Sequence, residues 1–308
     1  MRRRKGFLLS EWIIALEGTP SGSSVATALA LLAAFLHALF GALQKGRHDP
    51  WATRAAIDLS YGLMAAPIAL FLVPWPDPAL IPFFGLVWII HTGYKLAQGY
   101  TYTLGSYTVV YPVVRGTGPL FTVLGAGILF GEHFNAVQWL GVGMLVAGIY
   151  GLALYNLRHW QFGRDKLKPA LAMAVLTGGF VALYTTTDAW GIRATPDPFT
   201  FLAWFFMMDG ITFPILFLLF WRARVPAGQY PALAARGVFG ALVAFFSFGS
   251  VMLATRLDQV GQAAVLRETS TVFAAAIGWL LLGESTGPRR IALMSLIALG
   301  AVVVEAGG

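Results

Sequence analysis

The chain has 308 residues, 57% of them hydrophobic and only 11% charged, with a mean hydropathy of +0.71. A soluble domain averages about 25% charged residues, so most of this chain does not face water and a soluble globular fold is excluded. Cysteine is absent, which removes disulfides and thiolate metal sites; no metal or other cofactor is expected.

Residues 1–24 read as a polar leader. Arg2, Arg3, Arg4 and Lys5 precede an apolar run too short to cross a bilayer and broken by Glu11. Glu11 and Glu17 also spoil the apolar core of a cleaved signal, which leaves an interfacial segment or a disordered extension. Ten apolar spans follow, at about 25–45, 51–73, 79–100, 105–131, 135–156, 169–190, 198–221, 231–255, 260–282 and 287–306. Each approaches the roughly 20 residues that cross about 30 Å of hydrocarbon. The most polar connection, residues 157–168, carries Arg158, Arg164, Lys166 and Lys168 and separates two halves, 25–156 and 169–308.

The halves repeat. Displaced by 152 positions, Arg115 falls on Arg267, Thr117 on Thr269, Phe121 on Phe273, Gly131-Glu132 on Gly283-Glu284 and Gly148 on Gly300. Ala26, Ala30, Ala34, Ala38 and Ala42 recur 144 positions on as Ala170, Ala174, Gly178, Ala182 and Thr186, and Asp49-Pro50 recurs as Asp197-Pro198. Residues four apart share a helix face, so the first span of each half carries a small-residue groove that lets helix backbones approach closely in lipid. Five spans per repeat is odd, so one copy runs inverted relative to the other. That construction recurs in secondary transporters, with cargo held near the midplane.

The chain also resembles the EamA-type branch of the drug/metabolite transporter superfamily. The resemblance rests on Ala34-Phe-Leu-His-Ala-Leu-Phe-Gly-Ala-Leu-Gln-Lys45, Val110-Tyr-Pro-Val-Val-Arg-Gly-Thr-Gly-Pro119, Leu129-Phe-Gly-Glu132 and Gln138-Trp-Leu-Gly141. In the second half it rests on Leu266-Arg-Glu-Thr-Ser-Thr-Val-Phe273 and Leu281-Leu-Gly-Glu284. It runs from about residue 25 to the end. It implies an all-α membrane protein of ten helices, two inverted five-helix repeats around a central cavity in which the fourth and ninth helices take part.

Charge inside a membrane is costly and marks function or pairing. Arg115 and Arg267 lie near the middle of the fourth and ninth spans, where a guanidinium can grip a carboxylate or phosphate in bidentate fashion. Arg115 is favoured as the cargo contact, because Glu268 adjoins Arg267 in sequence. Tyr111 is one turn before Arg115; Tyr94 belongs to an aromatic cluster able to stack on cargo. Pro112, Gly116, Gly118 and Pro119 mark a break in the fourth helix near Arg115. Lys95 is a further substrate-binding candidate, or snorkels to the interface.

Asp58, Asp209 and Glu268 are candidates for carrying a coupling proton, with His37 and His91 beside them; for the carboxylates the rival reading is ion pairing with Arg115, Lys95 or Arg267. Glu132 and Glu284 read as caps and interhelical anchors, and Gly127 with Gly131 as a packing pair. The reading is therefore a transporter exporting small organic metabolites, amino acids or related carboxylates. A flippase for a lipid-linked sugar or phospholipid-like cargo is the alternative and an intramembrane enzyme the remote one. No catalytic residue is assigned; zinc-protease and aspartyl-protease motifs are missing.

A small-molecule substrate and the lipid bilayer are the expected partners, with no nucleic acid; a homodimer is left open. The expected location is the bacterial inner membrane, crossed many times. Lys45, Arg47, Arg54, Arg158, Arg164, Lys166, Lys168, Arg222, Arg224, Arg236, Arg289 and Arg290 all lie towards one side, against Arg193 and Arg256 on the other. The positive-inside rule places the basic side in the cytoplasm and both termini outside, whereas the family resemblance implies both termini inside.

Overall fold

The computed structural model describes residues 8–44, 49–105, 107–157, 164–282 and 287–308, all helices and their connections. Arg2, Arg3, Arg4, Lys5, Lys45, Glu284 and residues 158–163 of the expected linker lie outside them. A short α1 (Leu8–Leu16) leads into α2 (Pro20–Gln44), α3 (Pro50–Pro67), α4 (Ile81–Leu104), α5 (Tyr107–Phe130) and α6 (Ala136–Asn156). The second half continues with α7 (Arg164–Ala194), α8 (Pro198–Asp209), α9 (Thr212–Leu216), α10 (Tyr230–Leu257), α11 (Val260–Arg267), α12 (Ser270–Leu282) and α13 (Pro288–Ala306). Thus α2 starts inside the expected leader, and α7 takes up part of the linker.

Local chemistry sets several helix starts. Asp49 accepts from the backbone N–H of Trp51 and Ala52, and Asp197 from those of Phe199 and Thr200, each just before a proline that has no N–H to leave unsatisfied. Asn135 and Gln138 form a reciprocal capping box at the head of α6, at 3.0 Å each way. Gly131, at φ +67°, ends α5 in the left-handed region that glycine enters without penalty.

Eight helical segments among the described residues are long and apolar enough to cross a bilayer, from Pro20–Phe40 to Ala227–Leu257. The remaining two expected spans differ. One is divided into α11 and α12 around Glu268 and Thr269, and the other is α13, 19 residues long and carrying Arg289, Arg290 and Glu305. Apolar side chains turn outward and charges inward, the reverse of a soluble protein: Ile128 is 85% exposed whereas Glu268 is 0% exposed.

The packing pairs up between halves. α2 lies on α10 as α7 lies on α4; α3 touches α10 as α8 touches α4; α5 packs on α7 as α12 packs on α2. The small-residue faces are the buried ones: Ala26, Ala30, Ala34 and Ala38 on α2, and Ala170, Ala174 and Ala182 on α7. Counterpart helices also meet each other. A Cβ at Gly210 would lie 2.7 Å from the Cα of Gly62, so α3 and α8 cross backbone to backbone. Gly141 sits against Gly300 and Val304, and Gly148 against Leu293 and Ile297, so α6 and α13 run antiparallel.

Candidate functional site

Arg115 of α5 points into the bundle, 7% exposed. Its Nε is 2.7 Å from Glu268 Oε2, and its Nη2 donates to Ser270 Oγ at 2.6 Å and to the Arg267 carbonyl at 3.4 Å. Arg267 is 5% exposed, its Nε 4.0 Å from Glu268 Oε1 and its guanidinium 5.8 Å from the centre of the Tyr184 ring. Glu268 therefore pairs closely across the halves with Arg115 and only at longer range with its sequence neighbour. The Arg115 guanidinium lies 5.9 Å from the Tyr111 ring centre, and His37 of α2 is within electrostatic reach of both arginines.

The local unwinding that Pro112, Gly116, Gly118 and Pro119 suggest is not in α5, which is helical from Tyr107 to Phe130. It falls at the counterpart position in the second half, between α11 and α12. There, Thr269 Oγ1 donates to the Leu266 carbonyl at 2.7 Å and Thr271 Oγ1 to the Glu268 carbonyl at 2.9 Å. Hydroxyls of this kind compete with helical hydrogen bonds and stabilise the interruption.

A second cluster joins α3, α4 and α8. Lys95 Nζ lies 2.7 Å from Asp58 Oδ2, 2.8 Å from Asp209 Oδ2 and 2.9 Å from the Tyr61 hydroxyl. Tyr61 donates to Asp209 Oδ2 at 2.5 Å, and Arg54 Nε lies 2.7 Å from Asp58 Oδ1. Lys95 is 5% exposed and does not reach an interface as a snorkelling lysine would. The ion-pair reading of Asp58 and Asp209 describes what is found. Among the described residues, no group of three or more His, Asp and Glu is placed to hold a metal ion.

His91 of α4 meets Asp188 of α7, its Nε2 3.1 and 2.9 Å from the two carboxylate oxygens. Asp188 was not among the candidates read from sequence: it lies near the expected end of the sixth span, but α7 runs on to Ala194 and holds it inside. Tyr184, one turn earlier, connects the clusters. Its ring centre is 4.8 Å from those of His91 and Tyr94, and 5.8 Å from the Arg267 guanidinium. Tyr94 accepts a hydrogen bond from Gln98 at 2.6 Å.

One end of the bundle is tied shut. Glu132 accepts from the N–H of Val260 at 2.8 Å and of Gly261 at 3.0 Å, capping α11 from the other half, with Arg193 Nη2 3.6 Å away. Arg193 also donates to the carbonyls of Thr255 and Asp258, and Asn135 Nδ2 to that of Gly307. α1 sits on this end, with Ser10 donating to Asp197 at 3.0 Å and Glu17 pairing with Arg256 at 2.5 Å.

Residues 168–305 match the EamA-like transporter family. A solved structure, titled only as the crystal structure of a protein, is similar with a TM-score of 0.71 at 19% identity. The alignment covers 91% of this chain and 97% of that one, which is a likeness of fold. No curated protein matches the sequence.

Proposed function

We propose, on the premise that a chain matching the EamA-like transporter family over residues 168–305 is a membrane transporter of the drug/metabolite type, that it is a secondary exporter of small organic metabolites. Amino acids or related carboxylates are the cargo class, and the bacterial inner membrane is its place. The halves act as two inverted five-helix repeats, ten crossings in all, that alternate access to the Arg115–Arg267–Glu268 cluster. Support comes from the antiparallel approach of α6 and α13 at counterpart positions and from the paired contacts between halves. Inverted copies supply inward- and outward-facing arrangements of similar energy.

The observation that carries this reading is the meeting of Arg115 with Arg267, shut off from water between the halves. Burying two guanidiniums with one carboxylate is a poor way to stabilise a bundle and a serviceable way to hold an anion. An aspartyl-protease role is disfavoured, because Asp58 and Asp209 are both held on Lys95.

The experiment is flux into proteoliposomes from a labelled mixture of amino acids and monocarboxylates, with wild type and Arg115→Ala. Wild-type flux, lowered at least about tenfold in the variant, agrees with the proposal; a tenfold loss corresponds to about 1.4 kcal/mol. Unchanged flux in Arg115→Ala removes that residue from the cargo path, and headgroup flipping with no soluble flux favours a flippase.

A further inference from the structure

The buried charges are not shared evenly. Asp188 has both oxygens within hydrogen-bond distance of His91, and Asp58 and Asp209 are engaged by Arg54 and Lys95. Among the described residues, Glu268 is the carboxylate within 4.0 Å of Arg115 and Arg267, and it serves both. It stands far closer to Arg115. At 4.0 Å it is beyond hydrogen-bond distance of Arg267 Nε, which is buried without an acceptor. Two buried guanidiniums sharing one carboxylate, with one Nε left without an acceptor, favour an added anion of one charge in a low-dielectric interior.

The surroundings shape what that anion carries. Arg267 lies over the Tyr184 ring, and Tyr94 packs against the same ring. Flat rings beside a cation suit a planar apolar body attached to the anionic group. Glu268 is also the residue at the interruption between α11 and α12, where the backbone is not committed to a continuous helix.

We propose that Arg267 is the primary docking point for a monocarboxylate with a planar apolar body, and that Glu268 is a tethered competitor for the same guanidinium pair. Without cargo, Glu268 holds Arg115 and partly neutralises Arg267. A bound carboxylate takes over Arg267 and releases Glu268 from the shared position. The idea rests on the transporter reading for the location of the site, but binding is measurable without transport.

The test is thermal unfolding of the purified full chain in detergent with benzoate, its neutral isostere benzamide and the cation benzylamine. Benzoate raises the midpoint in a concentration-dependent way and the other two do not. Glu268→Gln, which removes the competing charge, tightens benzoate binding about tenfold, and Glu268→Asp, which pulls that charge back by one methylene, tightens it less. Arg267→Gln and the charge-preserving Arg267→Lys both weaken it, because the lysine lacks the planar fork.

Equal responses to benzoate and benzamide overturn the proposal, as does no response to benzoate at all. Unchanged or weaker benzoate binding in Glu268→Gln, or in Glu268→Asp where the glutamine variant does not fold, overturns the competitor role. Binding that follows this pattern without flux in proteoliposomes defeats the transport reading alone. Flux of uncharged cargo with no benzoate response defeats this proposal alone.

Discussion

Arg115 donates across the molecule to the backbone carbonyl of Arg267, its own counterpart 152 residues further on. Under the proposed two-repeat arrangement, such counterpart residues meet on the axis that would relate the copies. Gly62 and Gly210, 148 positions apart, do the same between α3 and α8. The charged clusters lie beside these crossings.

Glu268 neutralises two cations, so its loss is felt more than the loss of either partner. Glu268→Ala leaves two buried guanidiniums unpaired and lowers stability by about 3–5 kcal/mol. Arg115→Ala leaves Glu268 beside Arg267 and lowers it by less. Unfolding of both variants in mixed micelles gives the order, and a larger loss in Arg115→Ala contradicts the arrangement.

Lys95 bridges Asp58 and Asp209 on two different helices. Lys95→Met strands the Asp209 carboxylate in the core, leaves Asp58 to Arg54 alone, and lowers stability by about 3–5 kcal/mol. Adding Asp209→Asn recovers part of the loss. The unfolding free energies of the single and double variants measure the coupling, and strict additivity speaks against the bridge.

The crossing of α3 and α8 leaves no room for a side chain. In Gly210→Ala the new methyl meets the Asp58 carbonyl at 2.8 Å as well as Gly62, and overpacking of this kind lowers stability by about 1–3 kcal/mol. Gly85→Ala, whose Cβ meets nothing within 4 Å, is the control and leaves the unfolding midpoint unchanged or higher. Equal midpoints for the two variants contradict the close crossing.

The closed end carries α1 and the C-terminus, as the Ser10–Asp197 and Asn135–Gly307 hydrogen bonds show. Most loop lysines and arginines are at the other end, near Arg222 and Arg224. The charge count therefore predicts a fluorescent reporter at Gly228 to be cytoplasmic and one at Gly308 to be extracytoplasmic. Cytoplasmic fluorescence from Gly308 reverses the orientation.

Much of the frame was legible in the residues, because depth along an apolar helix is a one-dimensional property. The arginines, the small-residue faces and the Asp-Pro helix starts were visible as repeats. Partner choice was not, since it depends on how helices are turned about their axes. Lys95 has the composition of a snorkelling residue and is instead drawn inward by two aspartates on other helices. Glu268 neighbours Arg267 in sequence yet stands closer to Arg115, because consecutive helical side chains point about 100° apart. Glycines and prolines point to a break in the fourth helix, but the interruption falls at three hydroxyl-bearing residues after Glu268, two of which donate to backbone carbonyls. Asp188 lies in apolar surroundings near the expected end of the sixth span, and only the extension of α7 to Ala194 places it inside the bundle.

The central claim is that a cluster closed to water opens to each side in turn. The chain has no cysteine, so Ser270→Cys, at a position 1% exposed and hydrogen-bonded to Arg115, gives a single reporter inside the cluster. Its modification by a membrane-impermeant thiol reagent is to be measured in right-side-out and inside-out vesicles. Alternating access predicts labelling from both sides, slower than at an exposed control cysteine, whereas labelling from neither side, or from one side only, contradicts it.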